Sequence, residues 1–168
     1  MLRRWRTYKS KLSNRARRGA TAVEMALIAP AFFLLFLGVT EMSLILLAQH
    51  LLENATFNAS RLAKTGYTES GQTQEQTVIA VLHDELNSLA PLIDISHVTM
   101  TNMAYASLSN IGQPEAGTQG MGTAQQVVVY TVSYPWKLFT PIIAQLIGDD
   151  HGELNLTTRI VVRNEPYG

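Results

Sequence analysis

A single carboxylate, Glu24, stands where the chain becomes strongly apolar, and its chemistry needs an explanation. Residues 25–48 form a run of 24 residues with one charge, Glu41. As a helix this run is about 36 Å long, so it can cross a hydrocarbon core about 30 Å thick. An ionisable group near membrane depth is costly, so we expect Glu24 to have a function and a partner.

A new amino terminus is the partner that the neighbouring residues suggest. Gly19 has no side chain, so a protease can approach the backbone closely there. Cleavage after Gly19 would create an amine on Ala20, one helical turn before Glu24. In packed helices, Glu24 would neutralise the amine of a neighbouring subunit and set the axial register. The simpler alternative is that Glu24 only interacts with the dipole at the helix N-terminus, which contributes about 0.3–1 kcal/mol.

The segment before Gly19 is basic, and the rest of the chain is acidic. The segment holds eight basic residues and no acidic one: Arg3, Arg4, Arg6, Lys9, Lys11, Arg15, Arg17 and Arg18. This asymmetry predicts a cytoplasmic N-terminus and translocation of the rest. The remaining chain has five basic and 13 acidic residues, a net charge of −8, which argues against nucleic-acid binding. The absence of cysteine excludes disulfides and thiolate metal sites.

The order of motifs in the first 66 residues is similar to that of a known family. The sequence RRGATAVEMALIAP at residues 17–30, then Glu41-Met42, then ENATFNASRLAKTG at residues 53–66, resembles the TadE-like pseudopilins of the Tad (tight adherence) pilus system. The ending at residues 162–166 also resembles theirs. The apolar run is too long for the h-region of a conventional secretory signal, and the small residues at positions 29–31 lie inside it.

The resemblance implies roles for individual residues. It implies that a prepilin peptidase cuts between Gly19 and Ala20, and that Glu24 is needed for processing or assembly. Met25 stands where the family usually has Phe or Tyr, a change that keeps the apolar bulk and bears on peptidase preference. The implied partners are the inner membrane, the peptidase, other pseudopilins or pilin subunits, and the pilus assembly platform.

Four residues in or just before the apolar run are candidate helix-packing positions. Ala22 and Ala26 offer small side chains for close helix approach. Pro30 removes a hydrogen bond to Ala26 and is expected to kink the helix, which membranes tolerate when neighbours cover the freed carbonyl. Glu41 either reaches the outer interface or pairs with a neighbouring subunit, and the pattern favours neither.

The helix is predicted to continue beyond the membrane. A helical stripe of mostly small apolar residues follows the run: Ala48, Leu52, Ala55, Ala59, Leu62 and Ala63. Gly66 suits a helix end, so the predicted helix covers residues 22–65. The predicted organisation is a basic cytoplasmic leader at residues 1–19, a transmembrane helix with an extramembrane extension at residues 20–66, and a periplasmic head at residues 67–168.

The head is predicted to contain two helices and about three strands. A capping box of Thr73 and Gln76 begins the first helix, Pro91 ends it, and Pro141 begins the second. Strand patterns cover residues 95–103, 126–134 and 153–163, with Pro135 ending the second strand and a flexible loop at residues 107–123. The fold class is therefore α+β: a long N-terminal transmembrane helix that extends into a pilin-like head with a small antiparallel sheet.

Catalytic and metal-binding patterns are absent from the sequence. It has no phosphate loop and no HExxH, and no GxSxG elbow. The His-Asp-Glu run at residues 83–85 is expected on a solvated helix face, because consecutive helical residues point apart. The acidic residues at positions 149–153 could gather around calcium, but they lack the spacing of a calcium loop, which favours a polar turn. We therefore expect no enzyme activity, catalytic residue, metal or cofactor.

Two functions remain in view after these exclusions. The first is a minor pseudopilin of Tad or type IV-like pilus biogenesis, processed after Gly19 and assembled through its N-terminal helix. The alternative is an uncleaved single-span protein of the bacterial inner membrane whose periplasmic head binds a ligand or acts as a scaffold. The state of the N-terminus distinguishes the two.

Overall fold

The computed structural model describes residues 2–89 and 93–166 of the 168-residue chain. In chain order its elements are α1 (Leu2–Ala63), α2 (Gln74–Leu89), β1 (Thr99–Tyr105), β2 (Gly117–Gln119), β3 (Val127–Lys137), α3 (Pro141–Ile147) and β4 (Glu153–Arg163). Short 3₁₀ turns cover Ile95–His97, Leu108–Asn110 and Pro114–Ala116. The chain forms two compact units, Met1–Met42 and Ser43–Gly168, and the fold is α+β.

Helix α1 begins earlier than the apolar pattern predicted. It starts at Leu2 rather than near residue 22. Residues 2–18 contain no glycine or proline, and arginine, lysine, leucine and alanine are good helix formers, so the helix includes the basic segment. Its end is close to the prediction: Gly66 has φ +70°, and its N–H donates to the Ala63 carbonyl at 3.1 Å. Glycine adopts this left-handed conformation without steric cost.

The second unit is held together by one apolar core. Five of the six residues in the predicted stripe of α1 are buried and Leu62 is half-buried. Leu52 and Ala55 are fully inaccessible to solvent. Three leucine and valine side chains of α2 join the same cluster, together with one face of the sheet. The prediction that the outer part of α1 packs within the head is therefore confirmed.

The sheet has four antiparallel strands in the order β2-β1-β3-β4. Burial alternates along β3, where Val128, Tyr130 and Val132 face the core. Strand β4 has the predicted bounds, and its inward residues lie opposite those of β3, for example Ile160 opposite Tyr130. Strand β4 has one solvated face, because its odd-numbered residues from position 155 onward are exposed.

The prediction that Pro135 ends its strand is wrong. Strand β3 continues through Pro135 to Lys137, and Pro135 lies opposite Asn155 of β4. Proline lacks an N–H, so it is tolerated in a sheet where no neighbouring strand needs that donor. Strand β1 begins at Thr99, opposite Ser133, so β1 does not reach Pro135. The sequence pattern did not reveal how far the neighbouring strand extends.

The long loop at residues 107–123 contains regular structure that the prediction missed. Its segment Gly117–Gln119 forms β2, the edge strand beside β1. A Cβ atom on Gly117 would lie 2.8 Å from both Met103 Cε and Tyr105 Cε1. The close approach of these side chains accounts for a glycine in this strand. The sheet therefore has a fourth, short strand.

The helix predictions for the head are largely confirmed. The Thr73 N–H donates to Gln76 Oε1 at 3.0 Å, and the Gln76 N–H donates to Thr73 Oγ1 at 3.2 Å. This reciprocal pair is the predicted capping box. Pro141 begins α3 at the predicted position, and Gly148 caps it. The predicted stop at Pro91 lies outside the described residues.

Candidate processing and assembly segment

Gly19 lies inside α1, and neither packing nor backbone conformation requires glycine there. A Cβ atom built on Gly19 meets no atom within 4 Å among the described residues. In a helix interior, glycine is less favourable than alanine by about 0.8–1 kcal/mol. The folded chain would thus accept a larger residue at position 19, so the reason for glycine lies outside the described fold.

The segment after Gly19 exposes an unusual amount of apolar surface. Twelve large apolar side chains at positions 23–42 are 41–77% exposed: Val23, Met25, Leu27, Ile28, Phe32, Phe33, Leu34, Leu35, Phe36, Leu37, Val39 and Met42. They lie on every side of the helix, as expected for a helix surrounded by apolar material. Over Gly19–Ala63 the helix is long and apolar enough to cross a membrane, and its most apolar window is entirely unburied.

The predicted processing residues are close together at the start of this segment. Ala20 and Glu24 are exposed and lie one turn apart, and Met25 is 63% exposed. From Gly19 onward, Glu24 makes no hydrogen bond or ion pair with the described side chains. The Glu24 carboxylate is therefore available to a group on another molecule.

The candidate packing positions differ in exposure. Ala22, Ala26 and Pro30 are exposed, and α1 is continuous through Pro30. Glu41 is the exception, because its side chain is only 3% exposed and is not free of polar interactions. Burial of a carboxylate requires such compensation. The structure thus separates an exposed glutamate at position 24 from a buried one at position 41.

A contact near the end of the described residues joins Glu165 to the residue that follows α1, and we call Lys64, Asn164 and Glu165 the tail clasp. The Glu165 N–H donates to the Lys64 carbonyl at 2.9 Å, and Lys64 Nζ lies 3.1 Å from Glu165 Oε1. The buried Asn164 amide donates to the carbonyls of Met121 at 3.0 Å and Thr123 at 3.1 Å. Sequence reasoning assigned no role to Asn164, and only the resemblance at residues 162–166 drew attention to it.

The acidic turn before β4 uses its first carboxylate to organise the backbone. Asp149 Oδ1 accepts the N–H groups of Glu153 and His151, each at 2.9 Å. These bonds lower the pKa of Asp149 below its usual value, with the Glu153 amide contributing most. Among the described residues, no group of three or more His, Asp or Glu side chains could hold a metal ion. The geometry is that of a hydrogen-bonded turn.

The His-Asp-Glu run at residues 83–85 does not form a site. It lies on α2, where Asp84 is exposed and its two neighbours are half-buried. Trp136 and Tyr134, whose position the sequence did not predict, belong to the core and pack edge to face with ring centroids 6.4 Å apart. Among the described residues, the candidate functional features are therefore the exposed Glu24 and the exposed apolar surface at positions 23–42.

Residues 19–61 match the family model described as TadE-like protein. The N-terminal segment of this chain is TadE-like. No curated protein and no solved structure matches the chain significantly. The match begins at Gly19 and continues to Arg61 in the outer part of α1, so the predicted resemblance is confirmed for this segment.

The TadE-like match covers the exposed apolar part of α1. The family is a structural one associated with the Tad pilus. Residues 19–63 thus combine the TadE-like match with a helix that is long and apolar enough to cross a membrane.

Proposed function

We propose that this chain is a minor pseudopilin of a Tad-type pilus, cut after Gly19 by a prepilin peptidase and assembled through its N-terminal helix. The carrying observation is the coincidence of the TadE-like match with the start of the exposed apolar helix. The N-terminus would lie in the cytoplasm of a bacterium, the helix in the inner membrane and the head in the periplasm.

The glycine at position 19 supports processing at this residue. The fold has room for a side chain there, and the helix would be more stable with alanine. A peptidase that must reach the backbone at the cleaved bond gives a reason for glycine that the fold does not. Removal of the leader would also remove all eight of its basic residues from the chain.

The exposed helix supports assembly by helix packing. Contiguous exposed apolar surface of this extent marks an interaction site or a membrane contact. In the bilayer, lipid covers the side chains at positions 23–42. In a pilus, helices of neighbouring subunits would replace the lipid, with Ala22 and Ala26 allowing close approach.

Glu24 would give the assembled helices their register. After cleavage, the Ala20 amine would be positively charged and the Glu24 carboxylate negatively charged. A pair of opposite charges away from water interacts much more strongly than the same pair in bulk water. Subunits displaced along the axis would leave both charges unpaired in an apolar setting, so the pair favours one axial offset.

The test of assembly is a pair of charge-removing substitutions on the same helix. Glu24→Gln keeps the shape of the side chain but removes its charge, and we expect loss of the protein from purified pili while it stays in the membrane. Glu53→Gln, on the exposed outer part of α1, is the matched control and should leave incorporation unchanged. Glu24→Asp should restore part of the incorporation. Equal incorporation of the Glu24→Gln and Glu53→Gln proteins would refute the role of Glu24.

The test of peptidase recognition compares two glycines of α1. Gly19→Leu places bulk beside the scissile bond, and we expect accumulation of the full-length precursor. Gly38→Leu adds the same bulk within the apolar run and should leave processing intact. Normal cleavage of the Gly19→Leu protein would show that the peptidase does not need a small residue at this position.

A further inference from the structure

The head carries a second exposed apolar surface, on α3. Residues 138–148 contain no Lys, Arg, Asp, Glu or His. Four of their large side chains are 48–76% exposed: Phe139, Ile142, Leu146 and Ile147. We call these four residues the α3 patch. The other side of α3 is attached to the head, because Ile143 and Ala144 pack against the apolar core.

Two contacts show which way β4 runs along the outer part of α1. Gln49 Nε2 donates to the Thr157 carbonyl at 3.2 Å. Farther along both elements, the Lys64 carbonyl accepts the Glu165 N–H at 2.9 Å. The helix rises about 23 Å between its two contact residues, and an extended chain covers about 26 Å between the other two. Strand β4 and α1 therefore run side by side in the same direction.

The same spacing places the start of β4 at the end of the head where the chain enters it. From Thr157 back to Glu153, an extended strand covers about 13 Å. From Gln49 back to Ser43, the first residue of this unit, the helix covers about 9 Å. Measured back from the Gln49–Thr157 contact, the first residue of β4 therefore lies slightly farther away than Ser43 does.

Helix α3 is tied to this end by hydrogen bonds around the acidic turn. The Asp149 N–H donates to the Glu153 carbonyl at 2.8 Å, and the Leu138 N–H donates to the Gly152 carbonyl at 3.1 Å. These bonds close the connection from β3 through α3 to β4 at the start of β4. The α3 patch thus lies at the entry end of the head, and the residue bonded to Ser43 belongs to the apolar run.

We propose that the α3 patch docks on the surface of the bilayer that residues 23–42 cross, a stretch of 20 residues that is long enough to span a hydrocarbon core. The patch lies near the level of Ser43, where the chain leaves the exposed apolar positions 23–42. Apolar side chains exposed beside a membrane can be buried between lipid headgroups and acyl chains. This inference rests on the membrane residence included in the proposed function, and it is independent of cleavage and of pilus entry.

The charges beside the patch indicate what kind of lipid contact this is. Lys137 lies on one side, and Asp149, Asp150 and Glu153 lie on the other. Their net charge at neutral pH is negative, so anionic lipid would not attract the patch. The contact is apolar, and vesicles of zwitterionic phosphatidylcholine are a sufficient probe.

The chain has no cysteine, so single cysteines can carry a nitroxide label at chosen positions. Ile147 and Val161 are a matched pair, because both are apolar and 48% exposed. Val161 lies eight residues into β4, about 26 Å along the strand from Glu153. The experiment reconstitutes the full chain in phosphatidylcholine vesicles and measures collisions of each label with oxygen, which enters lipid, and with a water-soluble nickel complex. A third label at Leu35 reports on the apolar run.

We expect the Ile147 label to collide more with oxygen and less with nickel than the Val161 label does. Ile142→Ser in the Ile147-labelled protein should move these collisions toward the values at Val161. Leu108→Ser, at a residue as exposed as Phe139, should leave them unchanged. In a Trp5→Phe background, the emission of Trp136, which is 2% exposed, reports that the head remains folded.

Two results would overturn the proposal. If the Ile147 label is as accessible to nickel as the Val161 label, while Leu35 is in lipid, the patch does not dock on the bilayer. If the Ile147 label is shielded from both reagents, protein covers the patch instead of lipid. A Leu35 label in water would contradict membrane residence itself, and so identifies failure of the proposed function separately.

Discussion

Replacement of Asn164 by alanine should destabilise the head through the loss of two hydrogen bonds. The Asn164 side chain is 2% exposed, and its amide donates to two carbonyls at 3.0 and 3.1 Å. A hydrogen bond of this kind contributes about 1 kcal/mol net, so Asn164→Ala should lower the free energy of unfolding by about 2 kcal/mol. That loss reduces the ratio of folded to unfolded protein by about 30-fold.

The matched control is an asparagine on the exposed side of β4. Asn155 is exposed, and its side chain makes no hydrogen bond with the described residues. Asn155→Ala should therefore change the free energy of unfolding by less than about 0.5 kcal/mol. Urea unfolding of the full chain in detergent micelles measures both variants, with the emission of buried Trp136 as the probe in a Trp5→Phe background.

The result that would refute this reasoning is equal stability of the two variants. It would mean that the Asn164 bonds are replaced by water at no cost and that the Asn164 side chain contributes nothing to the stability of the head. The ion pair between Lys64 and Glu165 is a weaker test, because its side chains are 40% and 52% exposed. Exposed pairs of this kind contribute about 0–1 kcal/mol.

Three further predictions use the same unfolding assay. Leu52→Ala, at a residue with no solvent exposure, should lower the free energy of unfolding by about 2–5 kcal/mol. Leu108→Ala, at a residue that is 66% exposed, should lower it far less. Equal losses of stability would contradict the assigned core. Gly66→Ala should cost about 1–2 kcal/mol, because Gly66 has φ +70°, and no loss would argue against a left-handed helix end. The lowered pKa of Asp149 means that its ionised form stabilises the turn above about pH 4 and that this contribution is lost as pH falls through the folded-state pKa. Asp149→Ala should therefore be less stable than the parent chain at pH 7 and should lose less stability on acidification, and parallel pH profiles would contradict this.

Much of the fold follows from local signals in the sequence. The capping box at Thr73, proline at the start of α3 and the alternation along β4 each predict an element that the structure contains. The stripe of small apolar residues in α1 predicts which of its faces is buried. These signals are local because a helix cap or a strand face is decided by residues a few positions apart.

The errors arose where a distant segment decides the outcome. The residues next to Pro135 in sequence do not show that β1 ends before it reaches Pro135. The three residues of β2 form a strand only because they pair with the edge of β1. The role of Asn164 depends on carbonyls about 40 residues earlier in the chain. The start of α1 was misplaced because the apolar pattern was taken as the extent of the helix.

The candidate site depended less on the fold than on the sequence. Gly19 and Glu24 were singled out by their spacing, by the basic leader and by the resemblance of residues 17–30 to the TadE-like family, and the family match begins at the same glycine. The structure adds that position 19 has space for a side chain and that the Glu24 side chain is exposed. The burial of Glu41 could not be predicted, because a charged residue in the outer part of an apolar run also suits an interface with water.

The N-terminal residue of the protein recovered from its native membrane tests the central claim most directly. Terminal sequencing and intact mass together identify it. The proposed processing predicts a chain that begins at Ala20 and has lost the mass of residues 1–19. A chain that still begins at Met1, or one cut at positions 29–31 inside the apolar run, would contradict it.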